Sequence, residues 1–180
     1  KKYYIKHPQM CSFEDVLVRA MINHPFPPVF NEKSEILILG SFPSVKSREN
    51  MFYYAHPQNR FWRVLAAVYG CAVPQSVEEK TELLLSNRVA LWDVLASCEI
   101  RGSADSSIKS AVPNDLSIIT SRCDIKRIYT NGQTSDRYYR RFSREITGRD
   151  AICLPSTSPA NAAWTLERLI EAWKMVFEQQ

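Results

Sequence analysis

A chain of 180 residues that is 45% hydrophobic and 23% charged has the composition of one globular domain, which excludes a disordered chain and two full enzymatic domains. Its apolar runs fall far short of the roughly 20 residues needed to span a bilayer, and no signal-peptide core follows the basic N-terminus. A soluble cytoplasmic protein is expected. The net charge of +4 is modest, and five glycines leave few places for a glycine-rich phosphate cradle.

Residues 1–23 read as an N-terminal lead-in and helix, and 24–180 as a single domain. Lys1 to Met10 is a loose lead-in; Ser12 is the expected N-cap, with Val16, Leu17, Ala20 and Met21 on one stripe before His24-Pro25 ends the helix. Four short apolar runs follow as expected strands: Ile36–Leu39, Val89–Leu95, Ile125–Thr130 and Ala151–Leu154. Helical spacing marks Phe61–Tyr69, Val77–Ser86, Asp115–Arg122 capped by Asn114, and Ser135–Glu145 after a turn at Gly132. A last helix over about Ala162–Glu178 aligns Leu166, Leu169, Ile170, Trp173, Val176 and Phe177. Strands alternating with helices imply a mostly parallel sheet covered on both sides.

The five cysteines, Cys11, Cys71, Cys98, Cys123 and Cys153, lie at least 25 residues apart with no Cys-x-x-Cys. Free thiols packed as small hydrophobes are expected, with no metal and no cofactor. From Arg122 to Arg149 there are eight basic residues against three acidic ones, interleaved with Tyr138, Tyr139 and Phe142. That segment is either a surface that meets phosphates or a solvated helix face.

Ligands of open α/β sheets bind beyond the carboxyl ends of the strands. Those ends carry Gly40-Ser41-Phe42-Pro43-Ser44, Trp92-Asp93, Thr130-Asn131-Gly132-Gln133 and Pro155-Ser156-Thr157-Ser158-Pro159-Ala160-Asn161-Ala162. No Gly-x-Ser-x-Gly occurs, and no Cys-His pair is suggested. Asp93 stands alone, so a two-carboxylate glycosidase lacks its partner and Asp93 reads as a loop anchor. His56 reads as a loop-ordering hydrogen-bonder, Phe61 and Trp62 as core, and Asn59 as either an N-cap or a pocket amide. Tyr54 and Asn59 suit a planar heterocycle stacked on one face and hydrogen-bonded at its edge. Such a site of amides and hydroxyls can orient water and stabilise developing charge, as hydrolysis of an N-glycosidic bond requires.

Gly40-Ser41-Phe42-Pro43-Ser44, Tyr54-Ala55-His56-Pro57-Gln58-Asn59-Arg60-Phe61-Trp62, Leu91-Trp92-Asp93-Val94-Leu95 and Ser156-Thr157-Ser158-Pro159-Ala160-Asn161-Ala162 together resemble the uracil-DNA glycosylase superfamily, and most closely its hypoxanthine-DNA (deoxyinosine) glycosylase family. The resemblance implies an α/β fold, a three-layer α/β/α sandwich with a central four-stranded parallel sheet, that flips a damaged base and cuts its glycosidic bond. It implies that Phe42 stands where uracil-specific relatives carry the water-holding Asp or Asn, that Asn59 supplies the missing amide, and that Ser156 replaces the His or Asn that assists the leaving base.

The expected activity is therefore that of a monofunctional DNA glycosylase acting on deoxyinosine. Asn59 and Ser156 are the catalytic candidates, with Ser41, Phe42, Tyr54, Trp92 and Asp93 around the base. Ser44, Ser158, Ala160, Asn161, Arg140 and Arg141 are candidates for contact with DNA, Ala160 and Asn161 as small wedges. The expected partner is double-stranded or single-stranded DNA holding a deaminated base, met by a monomer that binds no membrane. Activity on uracil or another deaminated base, and non-catalytic binding of damaged DNA, are the alternatives.

Overall fold

A computed structural model describes residues 20–176. Strands β2 (Ile36–Gly40), β3 (Val89–Asp93), β6 (Arg127–Asn131) and β7 (Ala151–Leu154) form one sheet in the order β3-β2-β6-β7. Every neighbouring pair is parallel. All five residues of β2 and of β3 are buried, which explains why these strands read as continuous apolar runs rather than alternating ones.

Helices cover the sheet. Helix α2 (Phe61–Val68) buries Phe61, Trp62, Val64, Leu65 and Ala66, and packs against α7 (Leu166–Trp173), whose Leu169 and Trp173 are fully buried. Helix α3 (Val77–Ser86) starts with a capping box in which Ser76 and Glu79 satisfy each other's backbone amides. Helix α5 (Gln133–Phe142) lies against β6 and β7. Phe61 and Trp62 are thus core residues, as their spacing predicts. No helix among the described residues is long and apolar enough to cross a membrane.

Several boundaries differ from the sequence reading. Ser12, Val16 and Leu17 of the expected first helix lie outside the described residues; Met21, placed on that helix, is half-exposed in strand β1 (Met21–Asn23). The apolar run Val89–Leu95 is two strands: the β2–β3 ladder ends at the Gly40–Asp93 pair, and Leu95 pairs with Pro113 instead. After Asp93 the chain leaves the parallel sheet as β4 (Leu95–Glu99). It joins β1 and β5 (Lys109–Pro113) in an antiparallel sheet of order β1-β4-β5 that the sequence did not announce.

The expected helix at Asp115–Arg122 shrinks to α4 (Ser117–Thr120): Asp115 accepts from the Ser117 amide, and Asn114 donates to the Asp93 carbonyl instead of capping. The Ser135–Glu145 helix becomes α5 and a separate α6 (Arg144–Thr147), which ends on Gly148. The last helix begins only at Leu166, capped by Thr165, and tightens to a 3₁₀ turn at Lys174–Val176; Phe177 and Glu178 lie outside the described residues. A short helix α1 (Val45–Glu49) follows the first strand-end loop.

Candidate active site at the carboxyl ends of the parallel strands

A cavity of about 1070 Å³ opens where β2, β3, β6 and β7 end, the edge the topology favours for ligands. The loops after β2 and β7 and the segment before α2 line it, joined by the β4–β5 connection. Ser41, Phe42, Ser44, Tyr54, Asn59, Asp93, Ser156, Ser158, Ala160 and Asn161, named above from sequence, all border it. Trp92 does not: successive strand residues point to opposite faces, so Asp93 reaches the cavity while Trp92 sits in the core at 6% exposure. Arg140 and Arg141 occupy the last turn of α5, a helix whose first residues, Gln133 and Thr134, touch the cavity. At 1.5 Å per residue that turn lies about 10 Å further along the axis. Arg140 is also held by Asp136 at 2.6 Å.

Tyr54 is built for stacking. Its ring lies on Phe61 at 4.0 Å and 22°, and its backbone takes φ +51°. That left-handed conformation costs a tyrosine about 1–2 kcal/mol and is held by the local packing, including the Ala55 amide donating to Ser47 Oγ. Burial, then the nearby Asp93 charge, raises the phenol's pKa well above its ordinary value, so it stays protonated. The hydroxyl makes no well-formed hydrogen bond, although the Asn131 amide lies near enough to favour its ionised form.

Asn59 belongs to a closed chain of amides and hydroxyls. Asn131 Nδ2 donates to Thr157 Oγ1 at 2.9 Å, and Thr157 Oγ1 donates to Asn59 Oδ1 at 3.0 Å. The Phe61 amide also donates to Asn59 Oδ1, at 2.9 Å. An N–H can only donate, so that atom is the carbonyl oxygen and both its lone pairs are in use. The cavity therefore receives the Nδ2 donor of Asn59. Asn59 is not the N-cap, which is Arg60; it stands one residue before it, accepts from the amide of the first helical residue and borders the cavity.

Arg60 was not singled out from sequence, yet it organises the last loop. Its guanidinium donates to the carbonyls of Thr157, Ser158 and Asn161, and to that of Trp164. Burial lowers its pKa from the ordinary value, with Arg63 adding to the effect. These carbonyls face a cation rather than helix amides, which explains why α7 starts late. Within the loop, Ser156 Oγ accepts from the Ser158 amide, and Asn161 Nδ2 folds back onto the Ser156 carbonyl, leaving Pro159 and Ala160 at the exposed tip. Gly132, at φ +96°, packs so close to Ser156 that a Cβ would lie 2.8 Å from its Cβ.

Ser44 caps α1 through the Ser47 amide, and His56 Nδ1 accepts from the Gln58 amide, the loop-ordering role expected of it. Asp93 anchors a neighbouring segment: its Oδ2 lies 2.8 Å from His24 Nε2, both side chains being about 95% buried. The expectation that Asp93 stands alone is corrected. The β4–β5 connection folds over the cavity and brings in Asp105, whose two carboxylate oxygens accept from Ser41 Oγ at 3.0 and 2.9 Å. Burial raises the Asp105 pKa and the Asp93 charge adds to the rise, while the Ser41 hydroxyl and Arg137 oppose it.

The family model described as Uracil DNA glycosylase superfamily matches residues 27–177. A curated protein of Methanosarcina acetivorans named Hypoxanthine DNA glycosylase is 36% identical over 159 residues, 87% of this chain and 99% of that protein. One of the same name from Methanosarcina barkeri is 39% identical over 157 residues, 86% and 97% of the two chains. A solution NMR structure from Methanosarcina acetivorans, provisionally designated a uracil DNA glycosylase, superposes with a TM-score of 0.75 at 34% identity, covering 89% of this chain and 98% of its own.

Proposed function

The chain belongs to the uracil DNA glycosylase superfamily, whose chemistry is hydrolysis of the bond between a base and its deoxyribose, and we propose that the base it removes from DNA is hypoxanthine. One observation carries the reading: a stacking ring, Tyr54, and an amide donor, the Nδ2 of Asn59, border one cavity together with the apolar Phe42. The ring takes the face of a flipped purine. Asn59 donates to the base as negative charge builds on it, and Ser41 and Ser156 contact its edge or the adjacent phosphate. Burial of the flipped base favours lesions that are weakly paired, hypoxanthine opposite thymine among them. Among the described residues no lysine lines the cavity, which fits displacement of the base by water without an amine intermediate and without strand cleavage.

Residues 24–180 form the catalytic domain in this reading, acting as a monomer on double-stranded DNA in the cytoplasm. The test uses duplexes carrying a single inosine, uracil or xanthine, treated with alkali to cut abasic sites. Inosine is expected to be processed fastest. Faster release of uracil shifts the assignment to that base, and silence on all three overturns the enzyme.

The basic segment supplies phosphate contacts in the same reading. Because Arg140 is tied to Asp136, the informative change is Arg141→Glu, expected to weaken duplex binding and lower the log K against log salt slope by about one. An unchanged slope in a salt titration places Arg141 away from DNA.

A further inference from the structure

Hydrolysis requires an acceptor for a proton of the attacking water, and few acceptors bordering the cavity have capacity left. Both lone pairs of Asn59 Oδ1 are taken, by Phe61 and Thr157. Asn131 Oδ1 accepts from the Thr157 amide, and Asn131 Nδ2 supplies the Thr157 hydroxyl, so that pair closes on itself. Ser156 Oγ and His56 Nδ1 each accept from a backbone amide. Asp93 Oδ2 is paired with His24, and its Oδ1 sits tightly against Gly40.

Asp105 differs from all of these. Its carboxylate borders the cavity and receives one proton, that of Ser41 Oγ, shared between the two oxygens. A carboxylate offers about four acceptor sites, so most of its capacity is unspent. Ser41 directly follows the last residue of β2, so the hydroxyl that orients Asp105 is mounted on the central sheet. The Arg48 guanidinium steadies the same connection, donating to the Pro43 and Gly102 carbonyls.

We propose that Asp105, oriented by Ser41, is the catalytic carboxylate that takes the proton from the attacking water, a role resting on the hypoxanthine-glycosylase reading above. One O–H bond of water breaks and its proton passes to Asp105. The water oxygen bonds to C1′ of the deoxyribose, and the C1′–N9 bond breaks with its electron pair leaving on hypoxanthine. The base then takes a proton from solvent and Asp105 returns its own, so the net reaction consumes one water.

The surroundings suit the role. Asp93 at the end of β3 and Arg137 on α5 are the charged groups acting on Asp105, in opposite directions, and His24 pairs with Asp93. The Tyr54 hydroxyl and the Cys98 thiol, both pushed up by burial and Cys98 to about 11, stay neutral beside it. Burial holds the carboxyl above the ordinary carboxylate range, which strengthens it as a base. Only the ionised form can act, so the rate falls as pH drops through this raised pKa.

The experiment measures single-turnover excision from an inosine duplex with the wild type, Asp105→Asn and Asp105→Ala, with duplex binding and Tm alongside. Asp105→Asn keeps an acceptor for Ser41 and is expected to slow excision about 10²–10⁴-fold without changing binding or Tm. The acid limb of the wild-type pH profile is expected to vanish in that variant, and added formate to restore part of the activity of Asp105→Ala. An active wild type with an unimpaired Asp105→Asn overturns the assignment alone. Loss of binding together with excision, unrelieved by formate, makes Asp105 a loop-holding residue and also overturns it. A wild type silent on every duplex overturns both this role and the parent reading.

Discussion

Asn59→Asp is expected to excise hypoxanthine as poorly as Asn59→Ala, both about 10²–10³-fold slower than the wild type in single turnover, the usual loss when one preorganised donor is removed. The aspartate preserves everything that Asn59 Oδ1 does: it still accepts from the Phe61 amide and from Thr157 Oγ1. It removes only the Nδ2 donor and puts negative charge where the leaving base develops its own. The alanine also removes the acceptor for the Phe61 amide and the Thr157 hydroxyl, a further loss of about 1 kcal/mol or more in stability that thermal melting separates from the chemistry. An Asn59→Asp enzyme at wild-type rate would show that Asn59 acts as an acceptor for water, as the sequence reading allowed, and would contradict the oxygen's double engagement.

Gly40→Ala is expected to abolish excision and to lower stability by about 3 kcal/mol, the upper part of the range for overpacking a core. A methyl on Gly40 would lie 2.1 Å from Asp93 Oδ1 and 2.9 Å from the Tyr54 hydroxyl. Neither neighbour can yield cheaply. Asp93 is clamped by His24, and its backbone pairs in register with Gly40 across the β2–β3 ladder; Tyr54 is stacked on Phe61. In a protein of this size such a loss corresponds to a fall in Tm of roughly 6–12 °C. Gly70→Ala is the control: its φ of +62° strains an alanine, but no atom lies within 4 Å of the new methyl, so the cavity is untouched. Equal Tm and rate for Gly40→Ala and the wild type would mean that the strand end opens more readily than its ladder suggests.

Residues that border the cavity were legible where chemistry and strand ends coincided. Ser41, Tyr54, Asn59 and Ser156 lie in the segments that follow apolar runs and Asp93 ends one, and the sheet topology collects such ends at one edge. Trp92 was misplaced because adjacency in sequence does not give the face of a strand. Asp105 carried no signal of its own: it lies in Arg101-Gly102-Ser103-Ala104-Asp105-Ser106-Ser107, which reads as ordinary turn chemistry. Arg60 stood inside a recognised stretch and Asn131 at a strand end, but an arginine that gathers distant carbonyls looks like any other surface arginine until the loop it gathers is in view.

The sequence by itself determined the parallel sheet, the two principal covering helices and the loops that form the cavity, because continuous apolar runs, 3.6-residue periodicity and turn residues are local properties of the chain. It also carried the family, since the quoted stretches run in order along most of its length. Only the tertiary structure decided that β4 and β5 leave the main sheet, that their connection brings a second carboxylate to Ser41, and which atom of Asn59 is engaged within the protein. Those outcomes rest on partners far apart in sequence, 64 residues for Ser41 with Asp105 and 98 for Asn59 with Thr157. A hydrogen bond commits an atom only once its partner is beside it, and no local pattern records that.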